Sequence, residues 1–274
     1  MTPGQPSPDV AVDVHGHYGR YVCHSRDGRE DIDRWMSADA AAVAERARRV
    51  GIEWTVVSPL RSLFPRGRAD AAAGNDEAGG LVPRTPGLRQ WVVLHPEQPR
   101  TFEQADRLLR EEWCVGIKIH PEEHAYRIAE HGRALFAFAA RHRAVVLAHS
   151  GDANSDPVDF VPLANDFPEV RLILAHIGHG PGGDPTRQVR AIQAARHGNI
   201  YADTSSIRSL YSGVIEWAVA EVGADRVLFG TDSPLYCPAV QRARIDTAEL
   251  PAAVRTMILS GNARRLLRLP PSPR

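Results

Sequence analysis

Short apolar runs alternate with longer amphipathic stretches along almost the whole chain. The apolar runs are rich in β-branched residues and end at polar or turn residues, a pattern typical of buried strands. They occupy residues 10–17, 52–57, 90–94, 115–121, 144–148, 170–175, 199–202 and 226–230. A helical stretch follows each run, so the pattern predicts eight strand–helix units.

Several helix boundaries carry their own signals. Asp39 precedes a helix that stops at Gly51, and Thr101 with Gln104 predicts a capping box for a helix over 101–112. Asp-Pro pairs at 156–157 and 184–185 predict the starts of two further helices, because proline fits the first turn. Other helical stretches are predicted at about 75–82, 128–141, 211–222 and 239–267.

Eight strand–helix units in 274 residues predict a closed (β/α)8 TIM barrel of the α/β class. We expect a single domain over residues 10–268. A doubly wound open sheet is the alternative. That fold does not require polar residues at the ends of so many strands, and this sequence has them. Residues 1–9 and 269–274 are rich in Pro, Gly or Ser and are predicted to be flexible tails. We predict neither a signal peptide nor a membrane span.

Side chains capable of chemistry stand at the carboxyl ends of most predicted strands. The set comprises His15, His17, Lys118, His149, His176 and Asp232. In a barrel these strand ends surround one mouth, where the active sites of this fold lie. Cores do not normally end strand after strand in His, Lys and Asp. The set therefore predicts a metal site rather than separately buried histidines.

The most compact of these signals is the DVHGH motif at 13–17. Alternation along a strand predicts that Asp13, His15 and His17 share one face while the neighbouring valines take the other. Two buried imidazoles cost free energy unless something binds them, and a transition metal is their usual partner.

Charge and cysteine content exclude several classes of function. Thirty-three basic residues balance thirty-three acidic ones, which argues against nucleic acid or an anionic membrane and favours a small-molecule substrate. Cys23, Cys114 and Cys237 lack the spacing of a zinc or disulfide framework, which predicts a reducing cytoplasm. Lys118 is the only lysine in the chain, and unlike arginine it can act as a neutral amine or become a carbamate.

Seven stretches together resemble the amidohydrolase superfamily, most closely its amidohydrolase-2 branch, which is related to aminocarboxymuconate-semialdehyde decarboxylase. They are DVHGHYG (13–19), GIKIHP (116–121), VLAHSG (146–151), LILAHIGHG (172–180), NIYADTS (199–205), RVLFGTDSP (226–234) and GNARRLL (261–267). These stretches follow the family's order and cover the chain nearly end to end. The resemblance implies a barrel that carries a metal-dependent enzyme.

The resemblance also implies roles for individual residues. Four residues match metal ligands: His15, His17, His149 and Asp232. The metal is most often zinc, with manganese or iron(II) as alternatives. His176 matches a second-metal ligand or a catalytic acid–base, and Lys118 matches the bridging carboxylated lysine of two-metal members. Many members of this branch use one metal, so one-metal and two-metal sites both stay open.

These roles predict a metal-dependent hydrolase. A bound metal lowers the pKa of water from about 15.7 toward 7 and polarises a carbonyl, while Asp232 takes the proton and His176 stabilises the tetrahedral intermediate. We expect cleavage of an amide, lactone or related C–N or C–O bond. The first alternative is a non-oxidative decarboxylase of an aromatic or enol carboxylic acid, with His176 assisting protonation of the carbon. The second is a non-catalytic degenerate barrel.

Four further residues are candidates for substrate binding. They are His120, Arg61, Tyr18 and Arg208, all near predicted strand ends. Either arginine could bind a carboxylate through a bidentate fork. Asp13 and Asp203 are predicted to orient ligand imidazoles or to cap loops. Because the chain is lean for this fold, we expect short mouth loops and a pocket that is open or completed by a neighbouring subunit of a homo-oligomer.

The remaining polar residues of interest divide into two groups. Residues predicted to shape the pocket are Cys23, His179 and Tyr236. Histidines predicted at the surface are His24, His124, His131, His142 and His197.

Overall fold

The computed structural model describes residues 10–22 and 30–270, and its eight strands form one parallel sheet in chain order. The strands are β1 Ala11–Tyr18, β2 Ile52–Pro59, β3 Leu88–Val93, β4 Cys114–Ile119, β5 Val145–Ala148, β6 Arg171–Leu174, β7 Ile200–Asp203 and β8 Val227–Leu228. An open doubly wound sheet would reverse its strand order at one point, and this sheet does not. The predicted (β/α)8 barrel is confirmed.

Hydrogen bonds between β1 and the segment that follows β8 close the barrel. The amide of Val14 donates to the carbonyl of Phe229 at 3.0 Å, and the amide of Asp232 donates to the carbonyl of His15 at 2.7 Å. Gly16 and Ser233 continue the contact as a parallel bridge. The closure therefore brings the loop after β8 directly against the histidines of β1, although the two segments lie at opposite ends of the sequence.

Helices follow the strands and cover the outside of the barrel. Among the described residues they are α1 Glu30–Trp35, α2 Ala40–Arg49, α3 Ala71–Leu81, α4 Pro99–Leu108, α5 Ile128–Arg141, α6 Phe160–Asp166, α7 Arg187–Ala194, α8 Val214–Val222, α9 Pro238–Asp246, α10 Ala252–Thr256 and α11 Asn262–Leu267. Asp39 caps α2 as predicted, since its carboxylate accepts from the amide of Ala42 at 2.7 Å. None of these described helices has the length and apolar character needed to cross a bilayer.

Two apolar clusters account for most of the core. One cluster packs the strands against the helices and includes Ile117, Phe136 and Leu172. The other contains Val12, Val14, Trp91, Leu147 and Ile173, which come from four different strands, with Leu266 and Leu267 of α11 packed against them. Burying these side chains fixes the strand ends, and it thereby fixes the polar groups that follow them.

The predicted capping box at Thr101 and Gln104 is wrong. Helix α4 begins two residues earlier, at Pro99, and the Thr101 hydroxyl donates to the carbonyl of Gln98 at 2.7 Å. The Gln104 amide instead donates to the carbonyl of Ala72 at 2.8 Å. A tertiary contact with the preceding helix thus competes successfully with the local cap.

Strand β1 does not follow the simple alternation predicted for it. Asp13 pairs with Thr55 and Gly16 pairs with Val57, so β1 carries one residue more than β2 over this interval, which is a β-bulge. The Asp13 carboxylate accepts from the Thr231 amide at 3.0 Å and from its hydroxyl at 2.6 Å. Asp13 therefore connects β1 to the segment after β8 and does not orient an imidazole.

One prediction about a surface histidine is wrong, and several other predictions concern residues that the structure does not describe. The prediction that His124 lies at the surface is wrong, because its side chain is buried and its ring packs against that of His95 with centroids 4.4 Å apart. Its Nε2 atom bonds to the carbonyl of Ser62 at 2.8 Å. The predicted tail at residues 1–9, together with Cys23 and His24, lies outside the described residues, as do residues 271–274.

Candidate active site

Three buried side chains meet at the junction of β1 with the loop after β8. The Nε2 atom of His17 lies 3.0 Å from Oδ1 of Asp232, and Nε2 of His15 lies 3.6 Å from the same oxygen. One ligand atom from each residue lies within 4.8 Å of the others, the spacing expected around a single ion. His15, His17 and Asp232 are referred to below as the β1–β8 triad.

The protonation of His15 follows from its partners. Its Nδ1 atom lies 2.9 Å from Oδ2 of the buried carboxylate of Asp203, so Nδ1 carries the proton and donates it to that oxygen. The lone pair of His15 Nε2 then faces Asp232 and the amine of Lys118. This carboxylate–imidazole pair is the arrangement that orients histidine ligands in metal sites.

His17 is oriented in a comparable way from β2. Its Nδ1 atom lies 3.1 Å from the carbonyl oxygen of Ser58. When Nδ1 donates to that carbonyl, the Nε2 lone pair faces the Asp232 carboxylate at 3.0 Å. In that tautomer a cation between the two atoms would bind both of them, and in the other tautomer the Ser58 hydroxyl donates to Nδ1 while Nε2–H donates to Asp232. The triad therefore fits a divalent metal ion, and we infer this from its own donor set.

The pKa values support the same conclusion. Burial, assisted by the charge of Lys118, lowers the pKa of His15 to about 4, so its imidazole is neutral at pH 7. Burial alone would raise the pKa of Asp232, but the contact with His17 and the proximity of His15 and His176 outweigh it, and the pKa is lowered. A neutral imidazole at His15 and an ionised carboxylate at Asp232 are the forms that bind metals.

A second group of possible ligands, His15, His176 and Asp203, lies beside the triad. Its contacts are hydrogen bonds, because Asp203 accepts from His15 Nδ1 and, at 3.0 Å, from the amide of His176. The hydroxyl of Ser205 lies 2.9 Å from His15 Nδ1 and 2.8 Å from His176 Nδ1. We therefore interpret this group as a network that orients the two histidines.

Lys118 reaches directly into the triad. It is fully buried, and its Nζ lies 2.9 Å from His15 Nε2, so it donates to the same lone pair that a metal ion would take on binding. Burial lowers the pKa of Lys118 to about 8, with the carboxylates of Asp232 and Asp203 opposing the shift. The lysine singled out in the sequence thus lies inside the candidate site.

His149 is joined to the cluster through His176. Its Nε2 donates to Oδ2 of Asp152 at 2.6 Å, and its Nδ1 lies 3.1 Å from His176 Nε2. The ring of His120 stacks on the ring of His149 with centroids 4.1 Å apart. No contact of His149 with His15 or His17 is present among the described residues, so its role as a direct metal ligand stays a prediction.

The triad opens into a cavity of about 360 Å³. His120, Arg208, His179 and Tyr236 line it, as expected of residues near the mouth. Two of the predicted substrate-binding residues are not part of this lining. Arg61 is 59% exposed, with a guanidinium nitrogen 3.6 Å from Glu77. Tyr18 is buried, and its hydroxyl has no hydrogen-bond partner in the part of the chain that the structure describes.

The backbone is strained where the site is built. His176 and Asp232 have φ values of 74° and 56°, a region that few residues other than glycine adopt. His176 lies two residues after the end of β6, and Asp232 lies four residues after the end of β8. Both side chains line the cavity.

Sequence reasoning missed three polar residues in this site. Ser58 orients His17, Ser205 bridges His15 and His176, and Asp152 holds His149. Only Asp152 had a usable signal, because it follows a strand-end histidine by three residues. The serines resemble ordinary loop residues, and only the fold brings them to the histidines.

Solved structures with the same fold include three decarboxylases. The 5-carboxyvanillate decarboxylase from Sphingomonas paucimobilis has a TM-score of 0.73 at 14% identity, covering 95% of this chain and 99% of its own. The 2,6-dihydroxybenzoate decarboxylase from Rhizobium has a TM-score of 0.72 at 17% identity, covering 95% and 98%. The dihydroxybenzoic acid decarboxylase from Polaromonas sp. JS666, with bound manganese and 2-nitroresorcinol, has a TM-score of 0.72 at 16% identity, covering 95% and 97%.

At these identities the structural likeness shows the fold alone. No curated protein is significantly similar to the chain in sequence. The Amidohydro_2 family model, described as amidohydrolase, matches residues 12–269 and thus spans the whole barrel. The chain therefore belongs to the Amidohydro_2 amidohydrolase family.

Proposed function

We propose that this protein is a metal-dependent, non-oxidative decarboxylase of a small planar carboxylic acid, either aromatic or enolic. The observation that carries the proposal is the side chain of Arg208. It lines the cavity of the β1–β8 triad, and its Nη1 atom is buried without a hydrogen-bond partner among the described residues. A buried guanidinium nitrogen without a partner is costly, and a carboxylate of the substrate would satisfy it.

The cavity wall fits a planar substrate. Apolar side chains contribute much of the lining: Leu60, Leu63, Phe64, Ile207 and Leu235. The Tyr21 and Phe64 rings contact each other at the cavity with centroids 4.8 Å apart. An aromatic ring can bury its faces against this wall while its polar substituents reach the triad. The names of the three structural neighbours agree with such a substrate.

We infer one divalent ion, held by the β1–β8 triad. A second ion is not required, because the His15, His176 and Asp203 group is already engaged in hydrogen bonds. Nitrogen and oxygen ligands suit zinc, manganese or iron(II), and bound manganese in a structural neighbour makes it the first ion to test. When bound, the ion would supply positive charge that orients the carboxylate and polarises an adjacent hydroxyl of the substrate.

The proton for the reaction comes from the paired imidazoles. Because His149 Nε2 donates to Asp152, its Nδ1 lone pair accepts from His176 Nε2–H at 3.1 Å. Asp152 also contacts His179 at 3.3 Å and is 37% exposed at the mouth. Asp152, His149 and His176 therefore form a route by which a proton can pass from solvent to the cavity.

In the proposed reaction a proton from solvent passes through Asp152 and His149 to His176, and the resulting imidazolium delivers a proton to the carbon that bears the carboxylate. The bond between that carbon and the carboxyl carbon breaks, and its electron pair forms the new C–H bond. The carboxylate leaves as CO₂, and His176 is again neutral. One proton is consumed and one CO₂ is released, without an oxidant.

The test is an assay of hydroxybenzoic acids with the manganese-loaded enzyme in D₂O. We expect CO₂ release together with one deuterium at the carbon that lost the carboxylate. The same protein is then incubated with lactones and amides of similar size. Release of a new carboxylic acid from those compounds, with no CO₂ from the hydroxybenzoic acids, would contradict the proposal.

Substitution of Arg208 tests whether its guanidinium binds the carboxylate of the substrate. Arg208→Met removes the guanidinium, and we expect KM for a carboxylic acid substrate to rise about 10- to 100-fold, because a charged hydrogen bond is lost. Arg208→Lys keeps the positive charge but lacks the planar guanidinium, so its KM should lie between those of the unmodified protein and Arg208→Met. Arg46→Met, an exposed arginine of α2 outside the cavity, is the control. An unchanged KM in Arg208→Met would refute a carboxylate anchor at this position.

Hydrolysis is the second candidate, and Lys118 is the observation that favours it. The amine lies 2.9 Å from His15 within the triad, where a carboxylated lysine would join a two-metal site. Mass spectrometry does not preserve carbamates well, so the lysine is best inspected in an electron-density map. A carboxylated Lys118 with two ions would favour the hydrolase, and an unmodified amine would favour the decarboxylase. Cytoplasmic location and homo-oligomerisation stay predictions from the sequence.

A further inference from the structure

A second cavity, of about 610 Å³, lies at the end of the barrel opposite the triad. The first residues of three strands contribute to its wall, namely Cys114 of β4, Val145 of β5 and Arg171 of β6. The segment 266–270, which ends α11 and follows it, completes the wall. The cavity is thus formed by parts of the chain that take no part in the proposed reaction.

Arginine side chains dominate this cavity. Five arginines line it: Arg89, Arg110, Arg143, Arg171 and Arg268. None of the five forms a salt bridge with a carboxylate among the described residues. Glu111 and Glu112 are the acidic residues of the lining, so two negative charges face five positive ones. Like charges in one concavity repel each other and raise the local concentration of anions.

The guanidinium donors of this cavity are largely unused. Each guanidinium offers five N–H groups. Arg89 donates to the carbonyl of Leu88 at 3.0 Å, and Arg171 donates to the carbonyl of Arg143 at 3.4 Å. The Nε atom of Arg171 is buried and has no partner within the described chain. A buried cationic donor without an acceptor is destabilising unless a ligand supplies one.

Two of these guanidinium groups are also held in place before any ligand arrives. The Arg89 guanidinium carbon stacks 3.5 Å above the Trp54 ring, and Arg171 is held by its bond to the Arg143 carbonyl. Side chains that are already ordered lose less entropy when they bind. His142, which also lines the cavity, is directed away by its Nε2 contact with Asp106 at 2.7 Å.

We infer that this cavity binds a small phosphorylated molecule, such as a phosphate ester or a pyrophosphate. Planar guanidinium forks match the oxygens of a phosphate group, and several of them together favour a multiply charged anion over a monocarboxylate. A volume of about 610 Å³ is of the size that holds small organic ligands. The balanced charge of the whole chain argues against an extended polyanion as the occupant. This inference does not depend on the proposed decarboxylation.

The test is calorimetric titration of the full chain with inorganic pyrophosphate, with inorganic phosphate and acetate as weaker anions for comparison. We expect binding in the order pyrophosphate, phosphate, acetate, weakening as NaCl is raised because salt screens the charges. Arg171→Met should weaken pyrophosphate binding at least about tenfold, which corresponds to the loss of one charged hydrogen bond. Arg268→Met, at an exposed position of the same wall, provides a second variant if Arg171→Met is unstable.

Two controls locate the binding. Arg208→Met alters the candidate active site and should leave pyrophosphate binding unchanged, and Arg46→Met lies outside both cavities. The inference is overturned if pyrophosphate does not bind at millimolar concentration. It is overturned equally if binding survives in both Arg171→Met and Arg268→Met, or if only Arg208→Met abolishes it. Tighter binding of an oligonucleotide than of pyrophosphate would also contradict a small-molecule site.

Discussion

At the scale of single residues, hydrogen-bond direction determines what the site can bind. Asp203 accepts a hydrogen bond from His15 Nδ1–H at 2.9 Å, and the Nε2 lone pair of His15 therefore points toward Asp232. Burial then keeps that imidazole neutral by lowering its pKa to about 4. Asp203 does not line the cavity, but it orients His15 and favours the protonation state in which His15 can bind a metal ion.

Asp203→Asn tests this role. The asparagine oxygen can still accept from the His176 and Ser205 amides, which Asp203 now binds at 3.0 Å, but the amide nitrogen cannot accept from His15 Nδ1. We expect manganese affinity to fall about 10- to 100-fold, measured by competition with a chelator. Asp106→Asn, which alters an exposed aspartate–histidine pair with His142, should not change it. Equal affinity in Asp203→Asn and the unmodified protein would rule out the orienting role.

Cys114 should make the protein sensitive to alkali. Burial raises the pKa of this thiol from its usual 9.0 to about 12, so above pH 9 the unfolded chain binds fewer protons than the native one. Stability therefore falls as pH rises through this window, by up to about 1.4 kcal/mol per pH unit. Between pH 8 and pH 10, urea unfolding of the unmodified protein should lose roughly 1 kcal/mol more than Cys114→Ala. Parallel losses in both proteins would show that another group is responsible.

At the scale of elements, the contact of β1 with the segment after β8 matters most. Strand β8 has only two residues, Val227–Leu228, and side chains supply part of the connection beyond it. Asp13 of β1 accepts from both the amide and the hydroxyl of Thr231. The next residue along the chain is Asp232, so this contact also determines where the carboxylate of the triad lies.

Thr231→Val should therefore weaken the closure of the barrel. The substitution keeps the shape of the side chain but leaves the buried Asp13 carboxylate without its 2.6 Å partner. We expect the free energy of unfolding to fall by about 1–3 kcal/mol, measured by urea denaturation. Thr247→Val changes a threonine whose hydroxyl bonds its own helix at an exposed position, and it should cost little. A similar small loss in both variants would mean that the Asp13 contact is not structural.

At the scale of the whole molecule, the barrel separates two kinds of chemistry. The carboxyl ends of the strands carry histidines and carboxylates around a cavity of about 360 Å³. The opposite end carries five arginines, none in a salt bridge with a described carboxylate, around a cavity of about 610 Å³. Strands buried between them make the two ends independent, which is why each proposal has variants that leave the other site intact.

The sequence predicts the fold well because each apolar run corresponds to a buried strand. The strand-end residues His15, His17, Lys118, His176 and Asp232 come together as the barrel requires. The bulge in β1 was not predictable, because it arises from pairing with β2. The roles of Ser58 and Ser205 were not predictable either, since a serine at a strand end has no distinguishing pattern until its neighbours are known. The capping box failed because Gln104 prefers a partner in another helix.

The account depends most on a metal ion held by the β1–β8 triad. Anomalous scattering from crystals grown with manganese measures this directly. We predict one strong peak about 2.0–2.3 Å from His15 Nε2, His17 Nε2 and an oxygen of Asp232, with an unmodified amine at Lys118. The absence of a peak at these three atoms, or a peak found only elsewhere in the molecule, would contradict the proposed site and the chemistry assigned to it.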